Sequence, residues 1–326
     1  MWDSALGERG RWGCRNIRQQ TFPYPVFGRF SYILSALVVH CPLDAPTALG
    51  TGRKRAGGYG LADVIGQNWN GGTMRGLWNG FKIAFAMYSK IPMPKADWEK
   101  ENMRYMMCFF PLIGIVIGGG IVLWSRVAKW LEAGSLLRAV GYVLIPVAVT
   151  GGIHLDGLLD TADALSSYQP RERKLEILKD SHAGAFAVIM ACCYFAGSLG
   201  LWSELSGMEV WVLAGGFVLS RALSGYAVAA WPSAKKSGTV AMFADAAQKR
   251  IVEISMLVLM VFSVGYMCFM DMKLGLAAVA GAGLTFLYYF RMSRKQFGGI
   301  TGDLAGFFLQ ICELVMAGAV YLAGRW

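Results

Sequence analysis

What most limits the folds open to this chain is a succession of apolar runs, each about 17–23 residues long, set between short polar connections. A run of that length crosses a hydrocarbon layer of roughly 30 Å as a single helix. Only helices and closed barrels leave no backbone polar group unpaired in lipid. Spans are expected at about 103–124, 138–153, 183–203, 210–231, 251–270, 274–290 and 303–323, the second and sixth being short or glycine-rich. The fold class is therefore all-α: a polytopic membrane helix bundle with about seven transmembrane helices. Composition agrees, because 55% of the residues are hydrophobic and only 16% charged, outside the usual soluble balance.

The formal charge of +10 raises the question of nucleic acid. The Lys and Arg residues flank apolar runs, however, as they do in proteins lying against anionic lipid, and no basic face interleaved with aromatics is visible. A lipid bilayer is the expected partner and nucleic acid is not. The seven cysteines include no CxxC pair and no Cys/His ligand spacing, so neither a zinc site nor a disulfide frame is expected. Residues 1–73 carry scattered charge, little periodicity and no clean signal peptide. They read as a poorly structured N-terminal extension, either a cytoplasmic tail or sequence upstream of a start at Met74. Residues 74–326 form the membrane domain, opening on an amphipathic stretch at 77–91 suited to the interface.

Charge also orients the bundle. The connections after the second, fourth and sixth spans hold Arg171, Arg173, Lys174, Lys179, Lys235, Lys236, Lys249, Arg250, Arg291, Arg294 and Lys295. The opposite connections hold only Arg126, Lys129, Arg138, Lys273 and Arg325. The positive-inside bias puts the first set in the cytoplasm, with the N-terminus inside and the C-terminus outside. The expected location is the cell (inner) membrane, multi-pass, with the active face cytoplasmic.

That same side carries the acids. In Gly151-Gly-Ile-His154-Leu-Asp156-Gly-Leu-Leu-Asp160-Thr-Ala-Asp163, three carboxylates fall within an arc of about 60° on one helix face. Like charges at that spacing destabilise a helix unless a cation compensates. Oxygen-only ligands with open positions suit Mg²⁺ or Mn²⁺, completed by water and a substrate phosphate. A second cluster, Phe297-Gly-Gly-Ile-Thr301-Gly302-Asp303-Leu-Ala-Gly306, continues to Gln310 and Glu313. Asp303, Gln310 and Glu313 share a stripe of about 80°, and the glycine-rich turn is expected to leave backbone N–H groups for an anion. Asp180-Ser-His182-Ala-Gly184 opens the third span and Arg221 lies in the middle of the fourth. A mid-membrane arginine either neutralises an acid such as Glu313 or grips a phosphate. His154 and His182 could relay protons near neutral pH. Lys235-Lys236-Ser-Gly forms a basic loop suited to phosphate.

The thirteen-residue run ending at Asp163 closely resembles the hallmark of the cobalamin synthase family, the adenosylcobinamide-GDP ribazoletransferases. Four further segments resemble that family's motifs in the same order: Ser89-Lys-Ile-Pro92-Met-Pro94, Phe110-Pro111-Leu-Ile-Gly114, Asp180-Ser-His182-Ala-Gly184 and Thr301-Gly-Asp303-Leu-Ala-Gly306. The resemblance runs from about Met74 to the end of the chain. It implies a Mg²⁺-dependent membrane transferase in the last stage of cobalamin synthesis. The 5′-hydroxyl of α-ribazole, or of its 5′-phosphate, would attack the phosphorus that joins cobinamide to GMP in adenosylcobinamide-GDP, and GMP would leave. Asp156, Asp160 and Asp163 are then the expected metal ligands, with Asp303 and Glu313 completing the site. His154 is the candidate base, with Asp160 and Asp303 also in catalytic roles. Asp180, His182, Arg221, Lys235, Lys236 and Gly302 are expected to meet substrate, and a membrane location leaves room for contact with other enzymes of the pathway. Two positions depart from the family's pattern: Gln310 stands where Glu is usual, and His182 where Arg is usual.

Two other readings compete. A CDP-alcohol phosphotransferase also sets Asp residues on membrane helices around metal, but its Asp-Gly-x-x-Ala-Arg pattern is not met at Asp156-Gly157-Leu158-Leu159-Asp160-Thr161. An ion-coupled transporter could use intramembrane carboxylates, yet no internal repeat is visible and the acids gather at one end of the bundle.

Overall fold

The computed structural model describes residues 71–180, 182–234 and 249–326. Most of the N-terminal extension, along with Lys235 and Lys236, therefore lies outside the described residues. Helix α1 spans Gly71–Tyr88. An extended stretch through Pro92 and Pro94 and two short helical turns, Lys100–Met103 and Met106–Phe109, lead into α2, Phe110–Trp130. Pro111 sits in the first turn of α2, where its missing N–H has no intrahelical partner to lose. The chain continues through α3 (Ser135–Thr150), α4 (Ile153–Ser166), α5 (Arg171–Ile177), α6 (Ala185–Glu204), α7 (Met208–Ala230), α8 (Lys249–Met270) and α9 (Met272–Met292). A π-helical turn, Ser293–Phe297, and the two glycines after it precede α10, Gly302–Arg325.

Six of these helices, among the described residues, are long and apolar enough to cross a membrane, which makes the chain a multi-pass membrane protein. The second expected span, 138–153, takes a different form. Helix α3 has 16 residues and ends at Gly151 and Gly152, both with left-handed φ (+66° and +81°), after which α4 leaves at 95°. Glycine is required here twice over: for the backbone, and because the Lys90 side chain lies across Gly151 where a Cβ would stand. Pro146 also interrupts the hydrogen-bond ladder of α3. Counting the bent pair as one span gives seven.

Helix α7 is the axis of the bundle. It is buried nearly all round and packs against α2, α8 and α10. With lipid offering no hydrophobic drive between helices, close packing depends on small residues. Gly114 and Gly118 of α2 meet the backbone of α7 at Phe217 and Ala214, so closely that a Cβ would overlap their carbonyl groups. Gly275 of α9 does the same against Met267 and Cys268 of α8. Beyond α9, Gly299 lies against Pro232 and Ala234, and Ile300 forms a strand-like bridge with Ser233. That bridge ties the end of α7 to the turn that starts α10.

Candidate active site

Two helices and two glycines set the site. Gly157 of α4 rests on the backbone of Asp303, where a Cβ would come within 2.6 Å of the carbonyl oxygen. One turn away, Gly306 of α10 rests on His154, where a Cβ would come within 2.9 Å. The two backbones therefore touch. Asp156 and Asp160 on α4 are thereby brought beside Asp303 at the start of α10. Thr301 caps α10 by accepting the Leu304 N–H at 3.2 Å, and its hydroxyl also lies 3.3 Å from an Asp303 carboxylate oxygen.

Asp160 lies within electrostatic reach of four other carboxylates: Asp156, Asp303, Asp163 and Asp180. The carboxylates of Asp156 and Asp160 make no hydrogen bond or ion pair among the described residues. Two helices thus hold a group of acids with no basic partner on Asp156 or Asp160. Among the described residues, no three His, Cys, Asp or Glu side chains converge closely enough to enclose an ion by themselves. Mg²⁺ asks for less than a cage, since one or two carboxylates plus water and substrate phosphate complete its shell. The donor set fits that mode of binding.

Asp163, expected as a metal ligand, is engaged elsewhere. Its two oxygens accept the backbone N–H groups of Gly184 (2.6 Å) and Ala187 (2.9 Å) at the start of α6. Helix α6 has no capping side chain of its own, because Gly184 occupies the N-cap. The remote carboxylate supplies the cap and favourably faces the positive end of the helix dipole. Gly184 is glycine because a Cβ would stand 2.6 Å from those oxygens. Asp163 thus fastens the Asp180–Gly184 segment beside α4.

Glu313, also expected at the metal, belongs to a different place. It follows Asp303 by ten residues, about 15 Å along the helix axis. Its carboxylate receives Arg221 Nη1 at 2.6 Å and the Ser220 hydroxyl at 3.0 Å. Arg221 is fully buried and also donates to the Phe217 carbonyl at 2.9 Å. Of the two roles open to Arg221, the geometry gives it the ion pair that joins α7 to α10. His154 departs from expectation as well. It is 5% exposed, packed beside the rings of Tyr88 and Phe110 at 6.2 and 5.9 Å, and its Nε2 has no partner among the described residues. It points about 160° around α4 from Asp156 and about 120° from Asp160. A ring walled in on the far side of the helix does not reach a hydroxyl bound at the aspartates.

Asp180 and His182 stand together on the surface. One Asp180 oxygen accepts both the His182 N–H (3.0 Å) and its Nδ1 (2.7 Å). That hydrogen bond from the His182 ring holds the Asp180 carboxyl below its ordinary pKa. The glycine-rich turn also differs from expectation. The N–H groups of Gly298, Gly299 and Ile300 are spent on the carbonyls of Arg294, Ser293 and Pro232, so they do not make an anion nest. Gly302 is exposed at the first turn of α10. Lys235 and Lys236 lie outside the described residues, but Ala234 just before them donates its N–H to Ile300 at 2.9 Å.

These features define a multi-pass membrane protein with an acid-lined site at one end of its bundle. The model of the cobalamin-5-phosphate synthase family matches residues 80–321, and the chain belongs to that family. It is 47% identical over 245 residues to the adenosylcobinamide-GDP ribazoletransferase of Lachnoclostridium phytofermentans, covering 75% of this chain and 94% of that protein. It is 29% identical over 251 residues to the protein of the same name from Clostridium botulinum, covering 74% and 96%. For the Desulfitobacterium hafniense protein the identity is 32% over 253 residues, covering 74% and 95%. No solved structure matches.

Two outcomes follow from this geometry. Asp163→Ala lowers thermal stability by about 1–2 kcal/mol, the usual cost of a lost N-cap, and the loss is the same with and without Mg²⁺. A metal ligand would instead lose only the Mg²⁺-dependent part of the stability. For the intramembrane pair, Arg221→Met or Glu313→Gln alone destabilises by about 3–5 kcal/mol, because each leaves an uncompensated polar partner. The double variant, measured by unfolding in detergent, recovers most of that loss.

Proposed function

We propose that this chain transfers the cobinamide-phosphate group of adenosylcobinamide-GDP to α-ribazole, or to its 5′-phosphate, and releases GMP. The family membership supports this reading over a CDP-alcohol phosphotransferase or an ion-coupled transporter. The observation that carries the chemistry is the meeting of Asp156 and Asp160 on α4 with Asp303 on α10. Phosphoryl transfer asks a protein chiefly for positioning and neutralisation of charge, and for no covalent nucleophile. Mg²⁺, when bound, would neutralise the anionic oxygens around the reacting phosphorus.

In this proposal Asp156 and Asp160 hold the cation. Asp303, facing them across the helix contact, orients the 5′-hydroxyl and accepts its proton as the new P–O bond forms. The bond from phosphorus to the bridging oxygen breaks, and its electron pair leaves on the phosphate of GMP. Asp180 and His182, held beside α4 through Asp163, line the approach of substrate. Arg221 and Glu313 lie too deep to take part, and they keep α7 and α10 in register below the site.

We also place the site on the cytoplasmic face of the cell (inner) membrane. Arg171, Arg173 and Lys174 follow the α4 aspartates in the chain, and Arg291, Arg294 and Lys295 precede Asp303, the arrangement that the positive-inside bias associates with a cytoplasmic face. Soluble enzymes of the pathway would reach it from that side.

The decisive assay follows GMP released from adenosylcobinamide-GDP and α-ribazole by the purified protein. Activity is abolished by a chelator and restored by Mg²⁺. Asp160→Asn lowers kcat at least about a hundredfold, several kcal/mol of lost charge stabilisation. An active enzyme in chelator would overturn the metal assignment and leave the transfer reaction standing. Orientation is checked separately by labelling engineered cysteines with a membrane-impermeant thiol reagent in intact cells. A cysteine at Gly324 is labelled from outside and one at Gly302 only after lysis.

A further inference from the structure

Two basic side chains on α5 stand out because neither has a counter-ion among the described residues. The Arg171 guanidinium lies directly on Gly298, where a Cβ would overlap its Cζ and both terminal nitrogens. Arg171 makes no ion pair among the described residues, whereas its neighbour Arg173 pairs with Glu176 at 2.6 Å. Lys174 is 6% exposed, and its ammonium donates to the Gln296 side-chain oxygen at 2.6 Å. A neutral amide does not offset the cost of burying an ammonium in the way an anion does. Positive-inside topology alone calls for lysines near lipid with their charge in water. It does not call for one tucked against a turn.

Gln296 and Gly298 belong to the π-helical turn and the glycines after it, a few residues before Asp303. Single π-helical turns are frequent at functional sites. Gly298 takes φ +73°, which closes the turn and leaves room for the guanidinium. Helix α5 itself begins eight residues after Asp163, the last acid of α4. Asp156 and Asp160, with no basic partner among the described residues, and the two bases of α5 are therefore carried by one stretch of chain, from α4 into α5, which lies against the turn that leads into α10. Neither set neutralises the other. A ligand that brings a divalent cation to the acids and a phosphate to the bases satisfies both.

We propose that Arg171 and Lys174 form a subsite for a phosphate oxyanion, which in the transfer reaction proposed above is the phosphate of the departing GMP. As the anhydride bond breaks, charge collects on that phosphate. Arg171 offers a planar fork of donors to it, and Lys174 offers the N–H groups that Gln296 does not use. Arg171 is then a substrate-binding residue specific to the nucleotide half of adenosylcobinamide-GDP, with no part in holding α-ribazole.

The same chemistry could be met by the phosphate of an anionic lipid, so the test uses the full chain in nanodiscs of phosphatidylcholine and in nanodiscs containing phosphatidylglycerol. GMP binding is measured in chelator by calorimetry, and KM is measured for both substrates with Mg²⁺. In phosphatidylcholine, Arg171→Ala is expected to weaken GMP binding and to raise KM for adenosylcobinamide-GDP about tenfold or more. KM for α-ribazole stays within about twofold, Arg171→Lys recovers part of the loss, and Gln296→Ala, which leaves both charges in place, has a smaller effect. Unchanged GMP binding in Arg171→Ala would overturn the subsite, as would equal rises in both KM values. So would an effect seen only with phosphatidylglycerol, which would give the two residues to lipid. Should the wild type release no GMP from adenosylcobinamide-GDP, the transfer reading fails. Arg171-dependent GMP binding in chelator would still uphold the phosphate subsite, and its absence would end that too.

Discussion

The site depends on one contact, the touching backbones of α4 and α10. Gly157 and Gly306 remove the side chains that would hold these helices apart, one facing Asp303 and the other facing His154. Helices carrying ordinary side chains at a contact pack 8–10 Å apart, which would leave Asp160 and Asp303 without a common space. The glycines of the two motifs are thus as necessary to the proposed chemistry as the acids beside them. They also explain why α4 bends away from α3. A straight continuation from Thr150 would not bring α4 to α10, and the paired left-handed glycines at 151 and 152 allow the change of direction.

Charge is handled in opposite ways at two depths. In the interior of the bundle, Arg221 and Glu313 neutralise each other and Ser220 joins them, as a low-dielectric setting requires. At the end of the bundle, Asp156 and Asp160 have no basic partner among the described residues. Such an imbalance costs stability, and a bound cation would relieve it. Stability is commonly given up at functional sites in this way. Asp163 marks the border between the two regimes, a carboxylate of the same motif fully used on backbone N–H groups.

Much of this was legible in the sequence, for identifiable reasons. Apolar runs of bilayer length leave little choice but helices, and the spacing of Asp156 and Asp160 places them on one face whatever the tertiary structure does. The helical wheel also held a warning about His154, since a residue two positions before Asp156 points away from it. What could not be read is which neighbour each polar atom meets. Asp163 shares its face with the other two acids, and only the arrival of α6 decides that its oxygens serve Gly184 and Ala187. The N–H groups of the glycine-rich turn looked free because their acceptors, Arg294, Ser293 and Pro232, come from a π-helical turn and from the end of another helix. Arg171 was counted only as a topological charge, because nothing local announces that it will lie on Gly298.

The two departures from the family's pattern can be weighed by position. Gln310 lies seven residues beyond Asp303, about 10 Å deeper along α10. It is buried there, and its side-chain oxygen accepts the Tyr194 hydroxyl of α6. At that depth an amide satisfies the tyrosine without the desolvation cost of a second carboxylate beside Glu313. The substitution removes a charge from the stripe without removing one from the acids at its head. His182 is the opposite case: exposed, bonded to Asp180, and at the rim of the proposed site. An imidazole there carries positive charge only when protonated, so this rim position contributes less fixed charge than an arginine would. Lasting positive charge on this side of the site then rests more heavily on residues that stay protonated, and Arg171, lying open on its glycine, is the nearest such group in sequence to the α4 acids.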